Sequence, residues 1–84
     1  MASRTPLTLR WEFVSIDGLW NWRGPDGRSG HGFPELARAT DDARKRGFWP
    51  SVDWWTVTVA DQTTHYRRGK PATTLPAGQE PDDE

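Results

Sequence analysis

Two histidines, His31 and His65, are the only imidazoles in this 84-residue chain, and any imidazole chemistry must run through them. His31 sits in the glycine stretch Gly30-His31-Gly32, and His65 falls on a strand-like segment near the end of the chain. A zinc site needs three or four ligands. The chain has no cysteine and no paired His-x-x-x-His spacing, so no metal site is read here. The carboxylates have structural explanations: Asp17 and Asp26 stand in turn sequences, and Asp41-Asp42 on a helix surface. A general acid–base pair needs two carboxylates in one cleft with their pKa values pushed apart, and the sequence suggests no cleft. Ser29 has neither a nucleophile-elbow motif nor a base beside it in sequence. The glycines from Gly24 to Gly32 lack the Lys-Ser or Lys-Thr ending of a phosphate loop and follow no buried parallel strand. The expectation is a protein that is not an enzyme, with no catalytic residue and no cofactor.

Recognition chemistry is better represented. Arg10, Arg23 and Arg28 would lie on or beside one sheet face and are the candidate nucleic-acid contacts, with Arg44-Lys45-Arg46 and Arg67-Arg68-Gly69-Lys70 as possible phosphate holders. Net charge is -1 but polarised: all 11 Lys and Arg fall in residues 1–70 with 8 of the 12 acids, while residues 71–84 carry four acids and no base. The body is mildly basic and the tail acidic. Glu12 among the sheet arginines argues against a dedicated nucleic-acid surface, so that reading is the alternative and protein association the leading one.

The elements that must position these groups are built on indoles. Six tryptophans occur, at positions 11, 20, 22, 49, 54 and 55, and each buries enough area for a few to make a core. Leu9, Trp11 and Phe13 alternate with Arg10, Glu12, Val14 and Ile16 as a strand. Asp17-Gly18 suits a two-residue type I′ turn, which would set Ile16 against Leu19, Phe13 against Trp22 and Glu12 against Arg23. Gly24-Pro25-Asp26-Gly27 turns again, into a short, glycine-rich edge strand at Arg28 to Gly30. A helix is predicted from Pro34 to Arg46, its inward face Leu36, Ala39, Thr40 and Ala43, with Gly47 as its stop and Phe48 folding back. Trp54 to Ala60 alternates as a strand, and a turn at Asp61-Gln62 leads to a last strand, Thr63 to Arg68, pairing Val57 with Tyr66 and Trp55 with Arg68. No internal repeat stands out.

The stretch from Leu9 to Phe48 resembles the YegP-like group of small bacterial domains of unknown function. It shares with them the strand ending at Asp17-Gly18, the Trp-x-Trp-Arg run at Trp20 to Arg23, the turn at Asp26-Gly27, Ser29, Phe33 and an alanine-bearing helix. The resemblance implies a three-stranded antiparallel sheet with a helix laid on it, and pairing of two such units as tandem repeats or as a dimer. It implies no activity.

The fold expected is α+β: an antiparallel sheet of 4–5 strands with one helix on one face, in the order β-β-(β)-α-β-β. Residues 7–69 form one small domain, residues 1–6 a frayed N-terminus, and residues 70–84, rich in proline and acid, a disordered tail. A folded part of this size is marginal alone. One helix covers one sheet face, so Val14, Ile16, Leu19 and Trp54 are the candidate interface. The function expected is non-enzymatic binding, with self-association as a homodimer through that face or an edge. A small phage-type inhibitor or adaptor and a weak nucleic-acid-binding module are the alternatives. With no apolar run long enough to span a bilayer, no membrane partner is expected, and the setting expected is the bacterial cytoplasm.

Overall fold

The computed structural model describes residues 10–79 and 81. Seven elements follow in chain order: β1 (Arg10–Ile16), β2 (Leu19–Arg23), β3 (Ser29–Phe33), α1 (Leu36–Arg44), β4 (Trp54–Val59), β5 (Gln62–Tyr66) and β6 (Thr73–Pro76). The strands form one sheet in the order β3-β2-β1-β4-β5-β6. The sheet is mixed, not purely antiparallel, and has six strands where four or five were expected. β1 and β4 run parallel, with Trp11 beside Trp55 and Phe13 beside Val57. A parallel neighbour needs a crossover, and the path through β2, β3 and α1 supplies it.

The first hairpin follows its turn. Asp17 and Gly18 take φ of 53° and 80°, as a type I′ turn requires. The register is the expected one, with Glu12 opposite Arg23 and Phe13 opposite Trp22. The second hairpin differs from expectation. Its turn is Ala60-Asp61, with Ala60 at φ 55°, and Trp55 pairs with Tyr66 rather than Arg68. Those two rings stack at 4.2 Å and 15°. The aromatic contact across the strands offsets the cost of a β-carbon at positive φ, roughly 1–2 kcal/mol. The helix is shorter than expected, because Glu35 is extended (φ −138°, ψ 148°) and Pro34 lies outside. It also ends at Arg44 rather than Arg46, but its stop is as read: Gly47 N–H donates to the Arg44 carbonyl and Phe48 N–H to the Ala43 carbonyl, the paired bonds of a Schellman stop.

The core lies between α1 and one sheet face. Trp11, Phe13, Trp22, Ala39, Ala43 and Phe48 are buried there, with Trp20, Phe33, Leu36, Trp55 and Val57 packed around them. Phe48 is the hub, its ring 5.3 Å from Trp11, 5.2 Å from Phe13 and 5.3 Å from Trp55. The glycine-rich β3 has a packing reason. A β-carbon at Gly30 would fall on the Trp22 indole, whose Nε1 donates to Asp42 Oδ2 of α1 at 3.0 Å.

Part of the expected disordered tail is a strand. β6 pairs with β5, placing Thr73 against His65 and Leu75 against Thr63. The Thr64 and Thr74 hydroxyls meet at 2.9 Å, and Ala77 N–H donates to the Asp61 carbonyl at 2.7 Å. Composition argued from apolar burial alone, whereas β5 offers an open backbone ladder that any extended, β-branched segment can complete. Tail residues 80 and 82–84, the N-terminal residues 1–6 and the expected start of the domain at residues 7–9 lie outside the described residues.

An internal symmetry emerges from the pairing. Raising residue numbers by 43 turns each β1–β2 pair into a β4–β5 pair, Glu12↔Arg23 becoming Trp55↔Tyr66, and turns Trp22↔Gly30 into His65↔Thr73; past the bulge in β2–β3 the match slips by one, Trp20↔Phe33 answering to Thr63↔Leu75. The meander β1-β2-β3 is thus repeated as β4-β5-β6 by a twofold axis running along the strands between β1 and β4. That axis turns the sheet over. Phe13, Trp20 and Trp22 on the helix side correspond to Thr56, Thr63 and His65 on the other, and all three of these are buried too.

Candidate binding groove on the helix-free face

Alternation along β1 and β2 sends Glu12, Val14, Ile16, Leu19, Asn21 and Arg23 away from α1. β3 adds Ser29, paired with Arg23, and His31. These side chains, Leu19 excepted, line a groove of about 560 Å³, within the size range of small-ligand sites. The sequence suggested no cleft. This one arises from three neighbouring strands with α1 on their far side, which residue spacing does not encode.

The groove is ordered in rows across the strands. One row is Glu12, Arg23 and Ser29; the next holds Val14 and Asn21; the last is Ile16, with its strand partner Leu19 just outside the groove beside the Asp17-Gly18 turn. Polarity therefore falls from one end to the other over about 13 Å. Asn21 Oδ1 accepts the Gly32 N–H at 3.2 Å, which leaves the amide NH₂ as a donor to the groove. Glu12 and Arg23 face each other, yet neither side chain has an ion pair or hydrogen bond among the described residues. Ser29 does have a base nearby: His31 Nε2 stands 3.4 Å from its Oγ. That is the long end of a hydrogen bond between two exposed side chains in alternate positions of one strand, and among the described residues no third side chain is bonded to the imidazole.

The candidate interface residues separate. Val14 is half-buried, while Ile16 and Leu19 are 53% and 43% exposed. Trp54 is beside Arg10, at the far end of β1 from Ile16 and about 20 Å away along the strand. It is half-buried, with the Arg10 and Arg67 guanidinium carbons 5.3 and 5.8 Å from its ring. The nucleic-acid candidates separate as well. Arg10 is buried against Trp54. Arg28 is exposed and ion-paired to Asp26 at 3.1 Å. Only Arg23 stands in the groove.

The exposed indole is Trp49, at 65%. Its backbone N–H donates to Asp53 Oδ2 at 2.9 Å, and its carbonyl accepts from the Asp53 and Val52 N–H groups. The loop is pinned while the ring stands in solvent. Among the described residues no three His, Asp or Glu side chains gather as a metal site would, and no helix is long and apolar enough to cross a membrane.

Comparison with protein-family models, curated proteins and solved structures finds no match to this chain.

Proposed function

We propose that this chain is a non-enzymatic binding domain whose working surface is the helix-free half of the sheet, β1 to β3, and that it self-associates there. The observation that carries the reading is the pairing of a groove with two exposed aliphatic side chains, Ile16 and Leu19, on a rigid hairpin. Strands hold such a surface more stiffly than loops do. Its size sets its strength. Three strands about 4.8 Å apart and about 20 Å long offer on the order of 300 Å² of face. A stable interface needs about 800 Å² from each partner. Self-association through this face is therefore weak and reversible, and the surface leaves room for another protein, as in an inhibitor or adaptor. Nucleic-acid binding is the poorer reading, because only one of its three arginines stands in the groove.

Sedimentation equilibrium combined with amide chemical shifts tests the proposal. Val14, Ile16 and Leu19 amides should move as protein concentration rises, and Ile16→Glu should abolish both the movement and the mass increase. A wild-type chain that stays monomeric with concentration-independent shifts to about 1 mM, the millimolar limit of weak association, would remove self-association.

A further inference from the structure

The polar end of this groove carries a pattern that the internal symmetry makes conspicuous. At the symmetry-related position, 43 residues on, Glu12 and Arg23 are replaced by Trp55 and Tyr66, which close on one another as a stacked pair at 4.2 Å. In the first meander the same two positions hold opposite charges that do not close: no ion pair within 4 Å joins them, and neither has another side-chain partner among the described residues. Val14, the next residue on the same face of β1, corresponds to Val57. One copy of the motif is sealed by aromatic stacking; the other presents an acid, a base and an aliphatic wall to solvent.

Resting on the binding-surface reading above, we infer that the polar end of the groove binds a free α-amino acid with an aliphatic side chain. Arg23 takes the α-carboxylate, with the Ser29 hydroxyl beside it in the same row. Glu12 takes the α-ammonium. The ligand side chain lies along β1 toward Val14, one row or about 7 Å away, which a leucine-sized side chain spans. Side chains of directly opposed residues start about 5 Å apart. That suits two charges on one α-carbon and does not suit a peptide, whose terminal charges are separated by its length. Charge-assisted hydrogen bonds are the strong ones. Losing either charge on the protein or on the ligand should weaken binding about tenfold or more.

The test is a titration of the full-length, ¹⁵N-labelled chain with L-leucine at pH 7 and low salt. Three analogues each lack one element: 4-methylpentanoate the ammonium, isoamylamine the carboxylate, and glycine the aliphatic body. The expected result is saturable movement of the Glu12, Val14, Arg23 and Ser29 amides with L-leucine, and at least about tenfold weaker binding of each analogue. Glu12→Gln and Arg23→Met, both on the solvent side of the sheet, should weaken leucine binding equally while leaving the far-ultraviolet circular dichroism unchanged. No saturable movement up to about 20 mM leucine, well past the millimolar range of weak ligands, would overturn the inference, as would analogues that bind as well as leucine. If leucine leaves these amides still but protein concentration moves Val14, Ile16 and Leu19, the ligand is wrong and the binding surface stands. If neither moves them, both readings fall.

Discussion

Phe48 and Trp49 are adjacent aromatic residues with opposite roles, and replacing them one at a time tests the packing directly. Phe48 is 2% exposed and touches three rings, whereas the Trp49 side chain is mostly in water. Phe48→Leu keeps most of the volume and the backbone bond to Ala43. It loses three ring contacts, two tilted and one edge-on, each contributing about 0.5–1.5 kcal/mol beyond area burial. A loss of about 2–3 kcal/mol follows. Phe48→Ala adds a cavity and should reach about 3–5 kcal/mol. That is a large share of the 5–10 kcal/mol or so available to a domain of this size, so its folded state should be marginal. Trp49→Ala leaves the bonds to Asp53 in place and should stay within about 0.5 kcal/mol. Urea unfolding followed by circular dichroism reads the difference. With m near 1 kcal/mol/M, Phe48→Leu should lower the midpoint by about 2–3 M and Trp49→Ala by less than about 0.5 M. Equal shifts, or a larger one for Trp49→Ala, would refute the assignment of Phe48 as the hub.

Other outcomes follow from the same geometry. Gly30→Ala should cost about 2–3 kcal/mol in urea unfolding, because the added methyl displaces the Trp22 indole from Asp42; a neutral result would show that β3 gives way easily. Ala60→Gly should stabilise by about 1 kcal/mol by relieving the positive φ, raising the calorimetric Tm by about 4–8 °C; an unchanged or lower Tm would contradict the turn. Hydrogen exchange should find the Ala77 amide protected by its bond to the Asp61 carbonyl; exchange at the rate of an unstructured peptide would mean that β6 does not hold.

How much of this was legible depended on how local the cause was. The β1–β2 register could be read because Asp17-Gly18 is strong turn chemistry and a two-residue loop leaves one pairing open. The β4–β5 register was missed because Ala60 is an unpromising residue for positive φ, and the Trp55–Tyr66 stack, a tertiary contact, decided the matter. The missed register differs from the observed one by two residues, which conserves the faces, so the division into core and helix-free sides came through intact. The repeat was invisible for a related reason. It lives in the pairing, while its positions carry unlike residues: Trp22 against His65, Phe13 against Thr56, Arg23 against Tyr66.

Residue order alone therefore determined which side chains share a face, where the first hairpin turns and where α1 stops, because alternation, turn propensity and capping act within a few residues. Only the folded chain decided that β1 and β4 lie parallel, that β6 joins the sheet, and that Glu12 and Arg23 stand unclosed in a groove beside exposed Ile16 while Trp54 does not. The physical reason is that backbone hydrogen bonds carry no side-chain signature. Which strand a ladder accepts depends on where helix and loop return the chain in space, and that is settled by packing around Phe48 rather than by any short run of residues.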